Sequence, residues 1–350
     1  MEIWEGYSQK GLAVKETDVE YFDIRQPPFQ IYGACSTDRY FSRLPEDTAK
    51  AASGGVHTHA LAAAGIRLRF ATDSPYVAIM VEHAAYNSGS PHVTKLASVG
   101  FDLYIEKNGR DSYVQSFLPP LDTETGYEGI RYIGERENKE LLLCFPYGKQ
   151  IRSLQVGLKK GSRITNSRPY SIQKPVVFYG SSITQGAAAS RPGNAYENMI
   201  SRRLNIDYIN LGFSGSALGE PALAEYIAGL DMAAFVMDYD YNAPDAAYLQ
   251  KTHEPFFKIV RERHPLLPVL FVTKPDTVYT EEAQQRRTVV MQTFLNARNR
   301  GDSNVFFIDG DSLFPEAVRA DCTVDGTHPN DLGFHFMAER IGGVLKNLLF

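Results

Sequence analysis

Hydrophobic and polar residues alternate with two different periods along the 350-residue chain. Between about residues 29 and 158, short segments with every second residue apolar are separated by turn residues, a pattern typical of β-strands. The predicted strands are 66–70, 76–81, 101–105, 113–114, 141–145 and 154–158. Asn108-Gly109 predicts a hairpin turn between two of them. We therefore predict an all-β domain over residues 1–168, arranged as a two-sheet sandwich or jelly roll.

The period of hydrophobic and polar residues changes after the polar, turn-rich segment 161–169. Almost wholly apolar strands are predicted at 176–179, 206–211, 233–237, 269–272 and 305–308, and helices at 194–204, 245–264, 281–300 and 332–348. Apolar strands that alternate with helices predict a parallel sheet covered on both faces, with reactive groups at the carboxyl ends of the strands. We predict this α/β domain over residues 169–350.

Composition and charge exclude several classes of partner. The chain is 43% hydrophobic and 22% charged, and no apolar run reaches membrane-spanning length, so we expect a globular protein without a membrane partner. A net charge of -5 without a basic stripe argues against nucleic acid. Cys35, Cys144 and Cys322 are too scattered for a disulfide framework or a metal site. The first six residues lack the features of a secretory signal, which predicts a cytoplasmic location.

A candidate nucleophile follows the first strand of the α/β half. Gly180-Ser181-Ser182 places a serine hydroxyl on a strand-to-helix turn. A serine hydroxyl is a weak nucleophile until a neighbouring base takes its proton, and the base needs an orienting carboxylate. Near the end of the chain, Asp325 and His328 supply both groups within one turn. We predict Ser182 as nucleophile, His328 as base and Asp325 as its orienting acid.

Acyl transfer also requires hydrogen-bond donors that stabilise the developing oxyanion. The loops after the second and third strands contain Gly215, whose backbone N–H is unobstructed by a side chain, and Asn242, whose side chain is an amide. Together with the Ser182 amide they form the predicted oxyanion hole. Asn242 can alternatively form an Asx-turn before Pro244.

Ser182, Gly215, Asn242 and His328 occur in the order of the four sequence blocks of the SGNH hydrolases, and residues 175–350 resemble that superfamily. The resemblance implies a flavodoxin-like parallel sheet sandwiched by helices, and a serine esterase that needs neither cofactor nor metal. Two positions depart from the family pattern. Ser181 stands where aspartate usually precedes the nucleophile, and the third block does not read Gly-x-Asn-Asp.

The β-rich half carries a second resemblance. Residues 100–104 read Gly-Phe-Asp-Leu-Tyr, similar to the Gly-x-Asp-Leu-Tyr signature of β-sandwich domains that precede some SGNH esterases. Two-domain proteins of this kind resemble carbohydrate acetylesterases, and mannan-deacetylating carbohydrate esterase family seventeen most of all. The implied reaction removes acetyl groups from manno-oligosaccharides or, alternatively, xylo-oligosaccharides. The resemblance leaves open the sugar, the oligomeric state and which residues bind substrate, and a homo-oligomer is compatible with it.

Two alternative functions remain open, whereas an alternative nucleophile is not supported. A literal Gly-Asp-Ser-Leu occurs at residues 310–313, but Ser312 follows the fifth strand and leaves no chain downstream for the oxyanion loops, so we interpret it as an ordinary turn. A generic short-chain acyl esterase or lipase-like hydrolase would use the same catalytic residues. The alternative that is not an enzyme is a carbohydrate-binding protein whose hydrolase half has lost its activity.

Overall fold

The chain forms two units in the computed structural model, which describes residues 14–86, 90–107, 109–275 and 277–350. The N-terminal unit comprises residues up to 43, 61–169 and 190–193, and the C-terminal unit comprises 44–60, 170–189 and 194–350. Residues 44–60 and 190–193 therefore depart from the sequence-based division into two domains. The boundary after residue 168 stays a prediction. The first six residues and Asn108, on which two sequence-based predictions rest, lie outside the described residues.

Ten strands are present in the described part of the N-terminal unit. They are β1 Val19–Asp23, β2 Gln30–Tyr32, β3 Arg67–Thr72, β4 Tyr76–His83, β5 Phe101–Lys107, β6 Arg110–Phe117, β7 Gly126–Tyr132, β8 Lys139–Cys144, β9 Ile151–Lys159 and β10 Ile164–Thr165. One antiparallel sheet has the order β1-β9-β4-β7, and the other has the order β10-β3-β8-β5-β6 with β2 beside β3. The predicted antiparallel β domain is confirmed.

A single apolar core joins the two sheets of the N-terminal unit. Ile79 and Val156 of one sheet and Leu68 and Leu143 of the other belong to the same buried cluster. Alternate residues of a strand point to opposite faces, so the inward residues of both sheets meet there and the sheets pack as a sandwich. The jelly-roll connectivity stays a prediction.

Nine helices are present among the described residues. They are α1 Glu46–Ala52, α2 Gly54–Ala60, α3 Lys95–Val99, α4 Ser182–Gln185, α5 Tyr196–Leu204, α6 Pro221–Ala228, α7 Ala246–Arg263, α8 Glu281–Asn299 and α9 Asp331–Leu349. No helix in the described ranges combines the length and apolar character needed to cross a membrane.

Three of these helices lie inside the stretch that the sequence predicts as all-β, which corrects that prediction in detail. α1, α2 and α3 have seven, seven and five residues, so none shows enough turns for a helical period to stand out. α1 and α2 belong to the C-terminal unit, where Ala49, Val56 and Ala60 join Leu223 of α6 in one core. α6 was also missed, because its eight residues pack against the core with few polar positions to mark a face.

A parallel sheet forms the centre of the C-terminal unit. Its strands are β11 Ile172–Gly180, β12 Ile206–Gly212, β13 Ala234–Asp238, β14 Val269–Val272 and β15 Val305–Ile308, in the order β12-β11-β13-β14-β15. This is the flavodoxin-like order, in which the direction of winding reverses beside the first strand. The predicted α/β architecture is confirmed.

Both faces of this sheet are covered, as the apolar strands predict. Along β11, Val177 and Tyr179 enter the core that contains α6 and α7, whereas Val176 and Phe178 enter the core that contains α5 and α9. Since the faces are closed, polar groups from the chain reach the sheet mainly at the strand ends. The carboxyl ends of β11, β12 and β13 lie side by side, because Gly180 pairs in register with Gly212 and with Asp238.

Candidate active site

Ser182 is the first residue of α4, directly after the end of β11. The turn is tight because a side chain on Gly180 would collide with Thr184 and with the Asp238 carbonyl. Ser181 caps the helix, since its Oγ accepts the Ile183 N–H at 3.2 Å. The serine that replaces the family's usual aspartate therefore has a clear local function. The side chain of Ser182 is held at the carboxyl edge of the sheet and remains 8% exposed.

The structure brings the three predicted catalytic side chains into one hydrogen-bonded chain. Ser182 Oγ lies 2.9 Å from His328 Nε2, and His328 Nδ1 lies 2.8 Å from Asp325 Oδ2. A carboxylate only accepts hydrogen bonds, so Nδ1 carries the proton and Nε2 accepts the serine O–H. This is the arrangement required of a base that activates a serine hydroxyl.

Asp325 is held as an anion by the turn that it begins. Its Oδ1 accepts the backbone N–H groups of Thr327 at 3.0 Å and His328 at 2.7 Å. Partial burial raises the pKa of the Asp325 carboxyl, but hydrogen bonds from the His328 N–H, the His328 imidazole and the Thr327 N–H lower it to about 2. The turn also requires glycine at Gly326, where φ is +82°. Thr277 Oγ1 donates to the Gly326 carbonyl at 2.8 Å.

The two predicted oxyanion loops follow β12 and β13. Gly215 lies in the turn after β12 with φ at +64°, and open space surrounds the position where a side chain would begin. Asn242 lies in the 3₁₀ turn after β13, and one of its two Nδ2 protons is donated to the Phe213 carbonyl at 3.0 Å. Within the described part of the chain, the N–H groups of Ser182 and Gly215 have no hydrogen-bond acceptor.

Buried polar residues that the sequence did not single out join these loops to the nucleophile turn. Gln185 Oε1 accepts the Ser214 N–H at 2.8 Å, which ties α4 to the loop that carries Gly215. Asn210 donates to the Thr184 carbonyl at 2.6 Å. On the other side, Arg286 of α8 donates to the carbonyls of Asp240 and Ala243 at 2.8 and 2.5 Å, on either side of Asn242.

A second carboxyl group lies beneath the nucleophile turn. Asp238 at the end of β13 is 4% exposed and accepts Thr184 Oγ1 at 3.2 Å and Tyr196 Oη at 3.3 Å. Burial and the nearby charge of Asp240 raise the pKa of Asp238 well above its ordinary value. The two hydroxyl donors act in the opposite direction without offsetting burial. Asp238 thus supports the turn by accepting hydrogen bonds from these two hydroxyl groups.

Two other residues with nucleophilic side chains, Ser312 and Cys322, are bonded within their own segments. Ser312 lies in a 3₁₀ turn after β15, and its Oγ donates to the Asp309 carbonyl at 2.7 Å. Arg287 forms ion pairs with Asp309 and Asp311. Cys322 is buried, and its Sγ contacts the Val318 carbonyl at 3.2 Å. Burial and the neighbouring Asp321 raise the pKa of the Cys322 thiol, the opposite of what a thiolate nucleophile requires.

A parallel α/β sheet with a Ser–His–Asp hydrogen-bonded chain at its carboxyl edge has the architecture of a serine hydrolase. Residues 173–346 match the GDSL-like lipase/acylhydrolase family, and residues 19–164 match the GxDLY family, described as the N-terminus of an SGNH-hydrolase-type esterase. The chain belongs to the GDSL-like family with an N-terminal GxDLY domain, and it is an ester hydrolase.

Solved structures share the fold over nearly the whole chain. A protein of Bacteroides ovatus described as a GDSL-like lipase is 27% identical, with a TM-score of 0.85 over 95% of this chain and 98% of its own. A salicylyl-acyltransferase from a tetracycline biosynthetic pathway is 22% identical, with a TM-score of 0.79 over 96% and 99%. An acetyl xylan esterase from the rumen bacterium Butyrivibrio proteoclasticus is 14% identical, with a TM-score of 0.60 over 94% and 98%. No curated protein matches the sequence.

Proposed function

We propose that the protein removes O-acetyl groups from carbohydrate through an acyl-enzyme on Ser182. The observation that carries the proposal is the continuous hydrogen-bonded chain from Ser182 Oγ through His328 to Asp325, with distances of 2.9 and 2.8 Å. A serine, a neutral imidazole in the correct tautomer and an ionised orienting carboxylate are the groups that acyl transfer needs.

In the proposed first step, Ser182 Oγ attacks the acetyl carbonyl carbon while its proton passes to His328 Nε2. The N–H groups of Ser182 and Gly215 and the second Nδ2 proton of Asn242 stabilise the oxyanion. The bond between the acetyl carbon and the sugar oxygen then breaks, and the His328 Nε2 proton passes to that oxygen, which leaves as the free sugar hydroxyl. Water attacks the acetyl-serine in the second step while His328 Nε2 takes its proton. The bond between the acetyl carbon and Ser182 Oγ then breaks, the proton returns from His328 to Oγ, and acetic acid leaves, ionising to acetate in water.

A carbohydrate substrate is supported by the resemblance of residues 100–104 to the signature of two-domain carbohydrate acetylesterases. The fold shared with the acetyl xylan esterase is compatible with the same chemistry. We propose acetylated manno-oligosaccharides as the first substrate class, with acetylated xylo-oligosaccharides as the alternative. The cytoplasmic location stays a prediction.

The first experiment compares wild type, Ser182→Ala and Ser312→Ala on p-nitrophenyl acetate. We expect Ser182→Ala to lose turnover by several orders of magnitude and Ser312→Ala to retain it, because Ser312 is bonded within its own turn. A sulfonyl fluoride should label the Ser182 peptide in wild type, with fluoride as the leaving group. Undiminished turnover by Ser182→Ala would refute the mechanism.

The second experiment identifies the substrate. Mass spectrometry of acetylated manno- and xylo-oligosaccharide pools before and after treatment should show loss of acetyl groups from one pool. A series of p-nitrophenyl esters tests the generic esterase alternative, which predicts equal or rising kcat/KM as the acyl chain lengthens. A wild-type protein that binds the oligosaccharides but hydrolyses no ester would instead favour the non-catalytic alternative.

A further inference from the structure

A cavity of about 610 Å³ opens in the C-terminal unit beside the turn that carries Asp325. Most of the side chains around it carry a charge or a hydroxyl group, including Tyr241, Lys274, Thr280, Glu282, Arg286 and Thr327. Burial of a hydrocarbon chain among such groups would remove them from water without replacing their hydrogen bonds. The lining therefore suits a polyhydroxylated ligand better than a fatty acyl chain.

Tyr241 is the exposed aromatic residue of this lining, with 40% of its surface accessible. Its hydroxyl lies 3.2 Å from Thr327 Oγ1, which follows Asp325 in the acid–base turn. Its ring centroid lies 3.8 Å from Lys274 Nζ, a cation–π contact. The hydroxyl contact and the cation–π contact therefore hold the Tyr241 ring in place while it remains accessible. Little side-chain conformational entropy is then lost when a ligand packs against the ring.

The position of Tyr241 in the chain places it next to a proposed oxyanion donor. It directly precedes Asn242 in the 3₁₀ turn after β13, and the hydroxyl contact with Thr327 joins that turn to the acid–base turn. A ligand packed on Tyr241 would therefore lie beside both the turn that carries Asn242 and the turn that carries Asp325. In an ester substrate, the groups nearest those loops are the acetyl group and the sugar ring that carries it.

We propose that Tyr241 is a specificity residue that packs against the sugar ring bearing the acetyl group, with the surrounding hydroxyl and charged groups bonding the sugar hydroxyls. This inference rests on the proposed carbohydrate esterase function and adds the part of the molecule that recognises the alcohol. A pyranose presents C–H groups on its faces and hydroxyls around its edge, which matches an aromatic ring within a polar cavity.

The test compares Tyr241→Ala, Tyr241→Phe and the control Tyr132→Ala, which alters an exposed tyrosine of the N-terminal unit. On a mono-acetylated manno-oligosaccharide, Tyr241→Ala should raise KM by about 5- to 10-fold, the size expected for one lost aromatic contact. On p-nitrophenyl acetate, which has no sugar, the loss of kcat/KM should be smaller than the loss on the oligosaccharide. Tyr241→Phe keeps the ring but loses the contact with Thr327, so its KM should lie between those of wild type and Tyr241→Ala, whereas Tyr132→Ala should resemble wild type.

The outcomes separate the inference from the function on which it rests. If wild type deacetylates the oligosaccharide and Tyr241→Ala leaves KM unchanged, Tyr241 does not bind the sugar ring, while the esterase proposal stands. Equal losses of kcat/KM on both substrates would show that the substitution disturbs Asn242. That result would also overturn the assignment of Tyr241 as a sugar-binding residue. A change in acyl-chain preference would place the acyl group in the cavity. Wild type that cleaves p-nitrophenyl acetate but no acetylated sugar would overturn the carbohydrate function itself.

Discussion

Replacement of Asp102 tests what the Gly-x-Asp-Leu-Tyr motif does physically. The Asp102 side chain is fully buried in the N-terminal unit and accepts three hydrogen bonds: Ser116 Oγ at 2.6 Å, Arg191 Nη1 at 2.8 Å and the Gly193 N–H at 2.7 Å. Arg191 also donates to Tyr104 Oη at 2.6 Å. The motif's aspartate and tyrosine thus hold the segment 190–193, which the unit includes although it lies far along the chain.

The expected loss of stability follows from the full burial of Asp102 and the partial burial of Arg191. Burial lowers the pKa of Arg191, but the neighbouring Tyr104 and Asp102 raise it more, so the guanidinium stays charged. Removal of one partner from a buried ion pair typically costs about 3–5 kcal/mol, because the other charge is left uncompensated. We expect that loss for Asp102→Ala. Asp102→Asn keeps the shape and one acceptor oxygen, so we expect about 1.5–3 kcal/mol, the range for a hydrogen bond to a charged group.

Hydrogen exchange under increasing urea measures this loss within the correct unit, through peptides from β5 and β6. Glu106→Ala is the matched control on the same strand. Glu106 pairs with Arg168, which is 66% exposed, and loss of such a pair costs about 0–1 kcal/mol. Asp102→Ala combined with Arg191→Ala should cost less than the sum of the single changes. If Asp102→Ala is no more damaging than Glu106→Ala, the motif does not hold the segment as described.

Three further predictions concern the C-terminal unit. Asn242→Ala should lower kcat by about 10²- to 10³-fold with little change in KM, measured by steady-state kinetics, because an oxyanion donor acts only in the transition state. The Asp325 pKa of about 2 lies below the ordinary 3.8, so its carboxylate stabilises the fold above pH 3.8 and that contribution is lost as the pH falls through about 2. In acid titration the stability difference between wild type and Asp325→Asn should disappear across that interval. The pKa of buried Asp238 is raised instead of lowered, so ionisation of this carboxyl destabilises the fold as the pH rises. Asp238→Asn should therefore become more stable relative to wild type with rising pH, as followed by urea denaturation.

The proximity of Ser182, Asp325 and His328 was predictable because it depends on local and periodic features of the sequence. Strands that are apolar throughout indicate a parallel sheet, and such a sheet gathers the following turns at one edge. Ser182 and His328 are 146 residues apart in the chain, yet each directly follows or precedes a predicted element, so their meeting needs no knowledge of loop conformation. The five strands of the α/β half were located to within a few residues for the same reason, except for the early start of β11.

The residues that support the site were not predictable, since their partners are backbone groups brought near by tertiary folding. Arg286 lies in the middle of α8 with Glu282 one turn before it, a pattern typical of a solvated helix face. In the structure it is 8% exposed and bonds the carbonyls around Asn242. Gln185 likewise resembles an ordinary polar residue of a turn until its bond to Ser214 is seen. Side-chain type alone does not reveal which polar residue will find a buried carbonyl.

The Gly-x-Asp-Leu-Tyr motif shows the same limit at larger separation. Its resemblance was visible in the sequence, but Asp102 and Arg191 are 89 residues apart, and nothing in the pattern of either segment indicates the other. Gly193 adds a physical constraint, because a side chain there would collide with the Tyr104 hydroxyl and crowd the Asp102 carboxylate. An aspartate that is buried in a strand must find donors, and here they come from Ser116, a guanidinium and a glycine N–H. The motif is therefore one half of a buried polar network, and its other half is the segment 190–193.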